Sequence, residues 1–279
     1  MMSSSRGDYL CGVGTHGHSR MSILNEANKE HVNLLLDKLD LKNDMLALDI
    51  ACGTGEITCQ MAERSPGAHV VGIDFSEEQI KIAREYAATK KLNNVTFIVM
   101  SAYEVKTLTE RFQFDRIFIR WVLGHLEFPQ RVIDSCKELL KPHGIIVCEE
   151  GNIRTHHCES NNPFFQARYG FFVEKIHALQ EKNGIDAAIG EKLAAMFGAI
   201  FAEIATIETE QHQLTLTDSA QKEAVTTSFL DETGQKFTDE SILTPQQLCE
   251  LQSDLDIMSH DDKTKIFYTA DTSVVVKLQ

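Results

Sequence analysis

Between residues 45 and 149 the sequence alternates short apolar runs with segments that carry apolar side chains at helical spacing. In the segment after residue 76, Ile80, Ala83 and Ala87 recur on one face of a predicted helix. Short apolar strands that alternate with helices are typical of a parallel sheet covered on both faces, with right-handed crossovers. The predicted strands are residues 45–50, 69–73, 95–100, 115–119 and 145–148.

After residue 150 the pattern changes to long helical segments, and strand character returns only at 204–216 and 265–278. We interpret the helical segments as insertions into the sheet that build a lid over a ligand site. A predicted helix around residues 25–39 is a third candidate piece of that lid.

A glycine turn stands directly after the first predicted strand, in the stretch Asp49-Ile50-Ala51-Cys52-Gly53-Thr54-Gly55. Ligands of open parallel sheets bind at the carboxyl ends of the strands, and a glycine turn there lets a ligand approach the backbone closely. Asp74 ends the second predicted strand, at a spacing that suits a carboxylate accepting hydrogen bonds from both ribose hydroxyls. The pattern therefore predicts a ligand that carries a nucleoside.

Two details distinguish between nucleoside ligands. A dinucleotide fingerprint requires a third glycine, and Thr58 occupies that position. A pyrophosphate favours positive charge near the turn, whereas Asp49 and Glu56 flank this one. The acidic surroundings suit a ligand with an ammonium and a sulfonium group, and an NAD-type dehydrogenase is the alternative enzyme.

The turn resembles the first motif of class I S-adenosylmethionine-dependent methyltransferases. Residues 73–76 are similar to their second motif, residues 114–117 to their fourth strand, and residues 140–146 to the turn into their fifth strand. The resemblance extends over about residues 40–150, with four motifs in order. The residues that resemble the leader of a small-molecule branch of the family are Tyr9-Leu10, Gly12 and Arg20-Met21.

The resemblance implies an α/β fold, with a Rossmann-like, seven-stranded, mostly parallel sheet, helices on both faces and helical lid insertions. It implies transfer of a methyl group from S-adenosylmethionine to a small-molecule acceptor by in-line displacement, which leaves S-adenosylhomocysteine. A non-catalytic module that binds S-adenosylmethionine is the alternative from another class. The expected division is an N-terminal helical lid segment at 1–40, a cofactor-binding core at 41–155, a helical substrate lid at 156–200, and the C-terminal part of the sheet at 201–279 with a helical insertion at 219–262.

For the adenosine half of the cofactor, the resemblance implies that Asp74 holds the ribose hydroxyls while Phe75 and Gln79 flank the adenine. Gln79 has a structural alternative, because it also fits the third position of a helix capping box. Ser101 stands where an Asp usually binds the adenine amino group, and a hydroxyl accepts that bond more weakly. The backbone N–H of Ala102 is expected to bond a ring nitrogen of the adenine.

For the methionine half, the resemblance implies a second group of contacts. The glycine turn lines the methionyl chain, an aspartate lies near the ammonium, two arginines lie near the carboxylate and a tyrosine lies near the entrance. The arginines have an alternative as surface ion pairs. These residues are Tyr9, Arg20, Asp49, Ala51, Gly53, Gly55 and Arg120.

A general base is required only if the acceptor must lose a proton. Candidates follow the fourth and fifth predicted strands, where the acceptor is expected to bind: His125 first, then Glu149 and His156, with His16 and His18 as weaker candidates. His125 has the alternative of a structural histidine that bonds its own loop. A carbon or amine acceptor can react without any base from the protein.

Composition narrows the choice of partners. Lys and Arg total 27 and Asp and Glu total 41, a formal net charge of −14, which disfavours nucleic acid and anionic membranes. No apolar run approaches the ~20 residues of a membrane span, and the seven dispersed cysteines are typical of free thiols in a reducing cytosol. We therefore expect a cytoplasmic protein with a small-molecule partner, without a metal site, and with a homodimer as the oligomer to test.

Overall fold

The computed structural model describes residues 15–110 and 112–279. Tyr9 and the side chains of His16 and His18 therefore lie outside the described residues. Within those two ranges the chain forms ten α-helices around one sheet of eight strands. No helix in these ranges is both long enough and apolar enough to cross a membrane.

The sheet confirms the predicted α/β fold. Its strands are β1 (Leu46–Ile50), β2 (His69–Asp74), β3 (Val95–Val99), β4 (Phe114–Arg120), β5 (Leu140–Asn152), β6 (His157–Glu159), β7 (Ala205–Leu216) and β8 (Lys265–Leu278). The first five strands are parallel, in the order β3-β2-β1-β4-β5, and β8 joins β5 antiparallel. β8 pairs with β5 and then β6 along one edge, and with β7 along the other.

The short strand β6 is the difference from the seven strands that we predict from the sequence. It lies in a polar segment without the apolar run that marks the other strands. His157 of β6 pairs with Phe267 of β8, and the two rings stack with centroids 4.4 Å apart. The long β8 thus extends past the end of β5 and gives this polar segment a partner.

The helices alternate with the first five strands and then dominate the chain after β6. They are α1 (Thr15–Ala27), α2 (Lys29–Leu39), α3 (Glu56–Arg64), α4 (Glu77–Thr89), α5 (Pro129–Leu139), α6 (Pro163–Lys182), α7 (Leu193–Phe201), α8 (Ser219–Val225), α9 (Thr227–Asp239) and α10 (Pro245–Ser259). The helix predicted around 25–39 is therefore the end of α1 and all of α2. Asn28 separates them, and its Oδ1 accepts a hydrogen bond from His212 Nε2 of β7 at 3.0 Å.

Alternate residues of β4 show how both faces of the sheet are buried. Ile117 and Ile119 pack against α5 and α7 on one face, while Phe118 packs against α2 and α3 on the other. Burial on both faces explains why the parallel strands appear in the sequence as continuous apolar runs.

A second core, which we call the helical core, joins α1, α6, α8, α9 and α10 beside the ends of β7 and β8. Leu24 of α1, Phe172 of α6, Leu230 of α9 and Leu251 of α10 are buried in it. The helical core holds α1, which precedes the sheet in the chain, together with helices that follow β6. These helices thus cover one end of the sheet as a single packed layer.

Candidate cofactor and acceptor site

A cavity lies at the carboxyl ends of β1, β4 and β5, beneath α1, α6 and α9. It has a volume of about 1700 Å³, including the open space at its entrance. The residues that line the cavity include two groups, at its opposite ends. The turn end comprises Asp49, Ala51, Gly53, Gln79 and Arg120, and the helix end comprises Ile153, His156, Ile176, Gln180, Tyr268 and Thr269.

The two glycines of the turn after β1 differ in their surroundings. Gly53 has a φ of +54°, and a Cβ added there would meet nothing within 4 Å. Gly55 has a φ of +78°, and a Cβ added there would lie 2.8 Å from side-chain atoms of Ala83 and Phe97. Gly53 therefore leaves open space in the cavity wall, whereas Gly55 is not a lining residue and instead lets α4 and β3 pack against the turn.

Asp74 ties the ends of β1 and β2 together. Its carboxylate accepts hydrogen bonds from the backbone N–H of Gly53 at 3.0 Å and of Ser76 at 2.9 Å. Burial raises the pKa of Asp74 above its ordinary value, although these two hydrogen bonds oppose the change. Asp74 is not among the residues that line the cavity, but each of its carboxylate oxygens keeps a lone pair for another donor such as a ribose hydroxyl.

The predicted capping box at the start of α4 forms only in part. Ser76 Oγ accepts a hydrogen bond from the Gln79 N–H at 3.3 Å, but the Ser76 N–H donates to Asp74 instead of the Gln79 side chain. Gln79 lines the cavity, and its buried Oε1 has no hydrogen-bond partner among the described residues. The side chain of Gln79 is therefore available to a ligand.

Asp49 lies in the wall of the turn end, where Thr58 Oγ1 donates a hydrogen bond to its Oδ2 at 2.6 Å. Thr58, which replaces the third glycine of a dinucleotide site, thus fixes the orientation of this carboxyl group. Burial raises the pKa of Asp49 to about 7, with the Thr58 bond opposing the change and the nearby Asp74 charge adding to it. A cation bound beside Asp49 would favour its charged form.

Arg120, at the end of β4, is held by three neighbours. Its Nε donates to Glu149 Oε1 at 2.8 Å, its Nη1 donates to Asn25 Oδ1 at 3.0 Å, and its guanidinium lies 3.5 Å from the ring centroid of Trp121. Its Nη2 is buried and has no hydrogen-bond partner in the described part of the chain. Arg120 is therefore not a surface ion pair, and it retains a donor for an anionic group.

Glu149, one of the predicted bases, is fully buried and does not line the cavity. Its second oxygen bonds His31 Nε2, and the His31 ring stacks on His212 with centroids 3.9 Å apart. Burial alone would raise the pKa of Glu149, but the His31 hydrogen bond and the Arg120 charge outweigh it and lower the pKa. A carboxylate with two partners and a lowered pKa is a poor base, and the contacts favour a role in orienting Arg120.

Arg20 of α1 lines the cavity and forms a buried ion pair with α9. Its Nε donates to both carboxylate oxygens of Glu232, at 3.0 and 3.1 Å, and the two side chains are only 4% and 5% exposed. The Arg20 guanidinium also lies 5.6 Å from the ring centroid of Phe229. The ion pair is therefore internal, and it connects two helices that cover the cavity.

Glu150, which the sequence analysis does not single out, lines the cavity beside the turn after β4. Its carboxylate accepts hydrogen bonds from the N–H groups of Val122 at 2.7 Å and Leu123 at 2.6 Å. Burial raises the pKa of Glu150 to about 7 against the effect of these bonds. Because successive strand residues point to opposite faces, the strand that directs Glu149 toward α2 directs Glu150 toward the cavity.

Both histidines predicted as bases line the cavity. Burial lowers the pKa of His125 to about 4, and burial together with the charges of His177 and His157 lowers the pKa of His156 to about 3. Both rings are therefore neutral at pH 7. The ring of His156 packs against Tyr268 with centroids 4.5 Å apart, and its Nε2 has no hydrogen-bond partner among the described residues.

Three predicted adenine contacts follow the carboxyl ends of β2 and β3 but are not among the residues that line the cavity. Phe75 is 54% exposed. Ser101 Oγ accepts a hydrogen bond from the Tyr103 N–H at 3.3 Å, and Ala102 begins a short 3-10 helix. Their roles toward the cofactor stay predictions.

Two cavity residues carry no signal that sequence reasoning could use. Gln180 of α6 and Thr269 of β8 line the helix end, and neither belongs to a motif. Glu223, Asp256 and His260 are the group of potential metal ligands that the described residues bring together. None of the three lines the cavity, and His260 Nε2 already pairs with Glu223 at 3.1 Å.

A protein-family model described as "Methyltransferase domain" matches residues 41–252, which is more than half of the chain. The chain belongs to this methyltransferase-domain family. The matched region runs from before β1 into α10, so it includes the glycine turn, Asp74, Arg120 and the helices that follow β6.

Curated relatives of the family align with only part of the chain. A demethylmenaquinone methyltransferase of Shouchella clausii is 28% identical over 152 residues, which cover 53% of this chain and 60% of that protein. A ubiquinone biosynthesis O-methyltransferase of Coxiella burnetii is 32% identical over 126 residues, which cover 45% of this chain and 51% of that protein. The chain thus spans between half and two thirds of the length of these relatives.

Comparison with solved structures shows the fold. The phosphoethanolamine N-methyltransferase 2 of Haemonchus contortus, solved with phosphomonomethylethanolamine and S-adenosylhomocysteine, matches with a TM-score of 0.53 at 18% identity. The superposition covers 90% of this chain and 52% of that chain. The Rossmann-like methyltransferase fold implied by the sequence motifs is therefore confirmed.

Proposed function

We propose that the protein binds S-adenosylmethionine at the turn end of the cavity and transfers its methyl group to a small molecule at the helix end. The observation that carries this proposal is a pair of unpartnered buried atoms, Gln79 Oε1 and Arg120 Nη2, in the same cavity as the open turn at Gly53. Membership of the methyltransferase-domain family supports it, as does the S-adenosylhomocysteine in the Haemonchus contortus neighbour.

The residues at the turn end, together with Asp74, which bonds Gly53 but does not itself line the cavity, match the chemical groups of this cofactor one by one. Asp49 offers a carboxylate to the ammonium, and Arg120 Nη2 offers a donor to the carboxylate. Asp74 retains lone pairs for the ribose hydroxyls, and Gln79 offers its carboxamide to the adenine. The absence of a Cβ at Gly53 leaves room for the chain that joins them.

When bound, S-adenosylmethionine supplies a methyl group on a positively charged sulfur. The protein's part is to hold the acceptor in line with that group, and alignment of this kind contributes ~7–11 kcal/mol in favourable cases. The apolar side chains of Met21, Ile153, Ile185 and Phe229 line part of the cavity wall. Methyl transfer itself then needs no acid for the leaving group, because that group departs neutral.

For an acceptor that loses a proton, Glu150 is the base that the pKa values favour, because it lines the cavity and its pKa of about 7 lies near the working pH. His125 and His156, the histidines expected from the sequence, also line the cavity and are neutral at pH 7, but their lowered pKa values of about 4 and about 3 make them weaker bases. Glu149 is a positioning residue for Arg120 in this proposal.

The helices of the helical core are the proposed lid, and each of the three predicted pieces reaches the cavity, through α1, through α6 and through Val225 and Phe229 of the 219–262 insertion. A covered cavity suits a small acceptor rather than a protein or nucleic acid. Six cysteines in the described ranges are free thiols, which supports the expected cytoplasmic location. A homodimer stays a prediction.

Isothermal calorimetry with S-adenosylhomocysteine and NAD⁺ tests the proposal. We expect heat of binding from S-adenosylhomocysteine only, and at least tenfold weaker binding in Gln79→Met and Arg120→Met. Gln60→Met is the matched control, because the Gln60 side chain bonds Asn33 away from the cavity lining. Folded protein that binds NAD⁺ and not S-adenosylhomocysteine would overturn the proposal in favour of a dehydrogenase.

Methyl transfer separates an enzyme from a binding module. The protein is incubated with methyl-labelled S-adenosylmethionine and an extract of small molecules, and label is followed into new products. We expect labelled product that disappears in Arg120→Met. Tight S-adenosylhomocysteine binding without transfer to any acceptor would favour the non-catalytic module.

A further inference from the structure

We propose that the helix end of the cavity binds an uncharged, ring-bearing acceptor through a hydroxyl group that bonds Gln180, Thr269 and His156. This inference rests on the proposed methyl transfer in one respect, because the ligand is called an acceptor only if the protein is a methyltransferase. The binding site itself is argued from the three side chains and the walls around them.

Gln180 and Thr269 are the first observation. They are only 7% and 6% exposed, and both line the cavity. Gln180 Oε1 and Thr269 Oγ1 have no hydrogen-bond partner among the described residues. A buried polar atom without a partner is costly unless something else bonds it, so two such atoms in one cavity wall point to a polar group on a ligand.

The third atom is His156 Nε2, which is also buried and without a partner in the described ranges. The three side chains come from α6, from β8 and from the segment between β5 and β6. Oε1 can only accept, whereas a hydroxyl and a neutral imidazole can each accept or donate. A ligand hydroxyl donates one hydrogen bond and accepts others, and it therefore satisfies such a set.

Gly151 is the reason that Thr269 can stand in the wall. A Cβ added at Gly151 would lie 2.4 Å from Thr269 Oγ1 and 3.2 Å from Thr269 Cγ2. Any larger residue at position 151 would push the Thr269 side chain from its place. The chain thus maintains a glycine on β5 where the hydroxyl of Thr269 packs against the strand.

The rest of the helix end is apolar and partly aromatic. The rings of Tyr268 and Phe229 line it, and the ring of His156 packs against Tyr268. Aromatic walls give a flat ligand ring the contacts that it prefers. The apolar side chains that complete this wall are Ile153, Ile176, Ile185, Ile189 and Val225.

Charge excludes the ionic alternatives. The cationic side chains among the described cavity-lining residues are Arg20 and Arg120, and each already pairs with a buried carboxylate, Glu232 or Glu149. The remaining donor of Arg120, Nη2, is assigned to the carboxylate of the cofactor, and Arg20 is held by Glu232, so neither arginine is left for a carboxylate or phosphate on the acceptor.

The carboxylates of Glu150 and Asp186 also line the cavity, but backbone N–H groups already bond Glu150 and Lys192 already pairs with Asp186. We therefore expect an ammonium to gain less from these carboxylates than it loses in hydration among the apolar walls.

Four two-ring probes test this assignment by calorimetry, each with S-adenosylhomocysteine at saturation. They are 2-naphthol, its methyl ether 2-methoxynaphthalene, the anion 2-naphthoate and the cation 2-naphthylmethylammonium. We expect 2-naphthol to bind about tenfold or more tightly than the ether, since the ether cannot donate a hydrogen bond. Both ions are expected to bind more weakly than the ether.

Near-isosteric variants locate the hydroxyl. Gln180→Met removes the acceptor for the donated hydrogen bond and is expected to bind 2-naphthol and its ether with nearly equal affinity, whereas Thr269→Val is expected to weaken both probes and keep the preference for 2-naphthol. S-adenosylhomocysteine binding is expected to be unchanged in both variants. Gln166→Met is the matched control, because Gln166 lies on the same helix and bonds Ser160 outside the cavity wall. This control is expected to keep the full preference for 2-naphthol.

Three results would overturn the assignment. They are 2-naphthoate or the ammonium probe binding as tightly as 2-naphthol, an unchanged 2-naphthol preference in Gln180→Met or unchanged affinity of both probes in Thr269→Val, and no probe binding to protein that holds S-adenosylhomocysteine. The proposed function fails differently. A protein that prefers 2-naphthol but binds no S-adenosylhomocysteine would retain this binding site and lose the methyltransferase proposal.

Discussion

At the scale of single residues, the two glycines of the turn after β1 serve different purposes, one in ligand access and one in packing. A Cβ added at Gly53 would meet nothing within 4 Å. A Cβ added at Gly55 would lie 2.8 Å from side-chain atoms of Ala83 and Phe97. Both have a positive φ, which costs a non-glycine residue about 1–2 kcal/mol. Alanine substitutions at the two positions should therefore have separable effects.

We expect Gly53→Ala to fold with a modest loss of stability, about 1–2 kcal/mol, and to lose at least tenfold in S-adenosylhomocysteine affinity because the new methyl group enters the cavity. Gly55→Ala should lose about 2–4 kcal/mol of folding free energy, since a backbone penalty adds to overpacking. Urea unfolding and calorimetry measure the two effects. Equal losses of folding free energy in both variants would contradict the separate roles of Gly53 and Gly55.

Asp49 links cofactor affinity to pH. Its pKa is raised to about 7 by burial, and a bound ammonium would lower it. Binding should therefore release a proton below pH 7, and S-adenosylhomocysteine affinity should fall by up to about tenfold for each pH unit below 7. Above pH ~8 the affinity should fall again, because the ligand's α-amino group loses its proton.

Calorimetry at pH 5.5, 6.5 and 7.5, in buffers of different ionisation enthalpy, measures both the affinity and the proton release. Asp49→Asn should bind weakly at every pH and lose the dependence below pH 7. A steep pH dependence that persists in Asp49→Asn would assign it to another group.

At the scale of elements, the buried pair of Arg20 and Glu232 joins α1 to α9 over the cavity. Removing one partner of a buried ion pair leaves an uncompensated charge and typically costs about 3–5 kcal/mol. Arg20→Met and Glu232→Gln should each lower the melting temperature strongly. The double variant should recover much of the loss.

A double-mutant cycle by thermal unfolding measures this coupling. Lys106→Met and Glu138→Gln are the control pair, because their ion pair is exposed at 61% and 50%. The coupling free energy between Lys106 and Glu138 should be less than about 1 kcal/mol. Additive losses in the Arg20 and Glu232 variants would show that the two side chains stabilise the protein independently.

The parallel half of the sheet was accessible to sequence reasoning because its central strands β1, β2 and β4 are buried on both faces, while the edge strand β3, where only Phe97 is buried, still shows an apolar run. Each of β1 to β5 appears as an apolar run, and the glycine turn and Asp74 follow directly from the ends of β1 and β2. The predicted set of strands is incomplete where a strand depends on a pairing partner that is distant in the sequence. β6 forms only because β8 extends beyond β5, and no local pattern signals that.

The candidate site was predictable only where one motif carries several residues. Asp49, Gly53 and Gln79 line the cavity as predicted, but their contacts to a cofactor stay predictions. Glu149 and Glu150 are adjacent on β5 and point to opposite faces, and the sequence does not show which of these faces turns toward the ligand. Gln180 and Thr269 belong to segments that only the tertiary fold brings together.

At the scale of the whole molecule, the cavity lowers the stability of the protein without ligand. A carboxyl whose pKa rises from 3.8 to about 7 on folding favours the folded state less and less as pH increases through that window. Asp49 should therefore destabilise the ligand-free protein more at pH 8 than at pH 5. Neutral His125 acts in the opposite direction below pH 6.5, because its pKa is lowered to about 4.

Asp49→Asn isolates the contribution of this one carboxyl. The gain in unfolding free energy over the wild type should be larger at pH 8 than at pH 5 by roughly 3 kcal/mol, as measured by urea unfolding without ligand. Asp134→Asn, at an exposed position on α5, is the control and should show no such difference. A gain that is equal at both pH values would show that burial of Asp49 is not costly.

The stack of Trp121 on Arg120 has a further consequence. Trp121 is the one tryptophan of the chain, and it stands in the cavity wall against the guanidinium. Fluorescence excited at the red edge of the indole absorption band therefore comes from Trp121 alone, beside the site. The native protein carries its own optical probe, whose fluorescence can report the arrival of a ligand without any label.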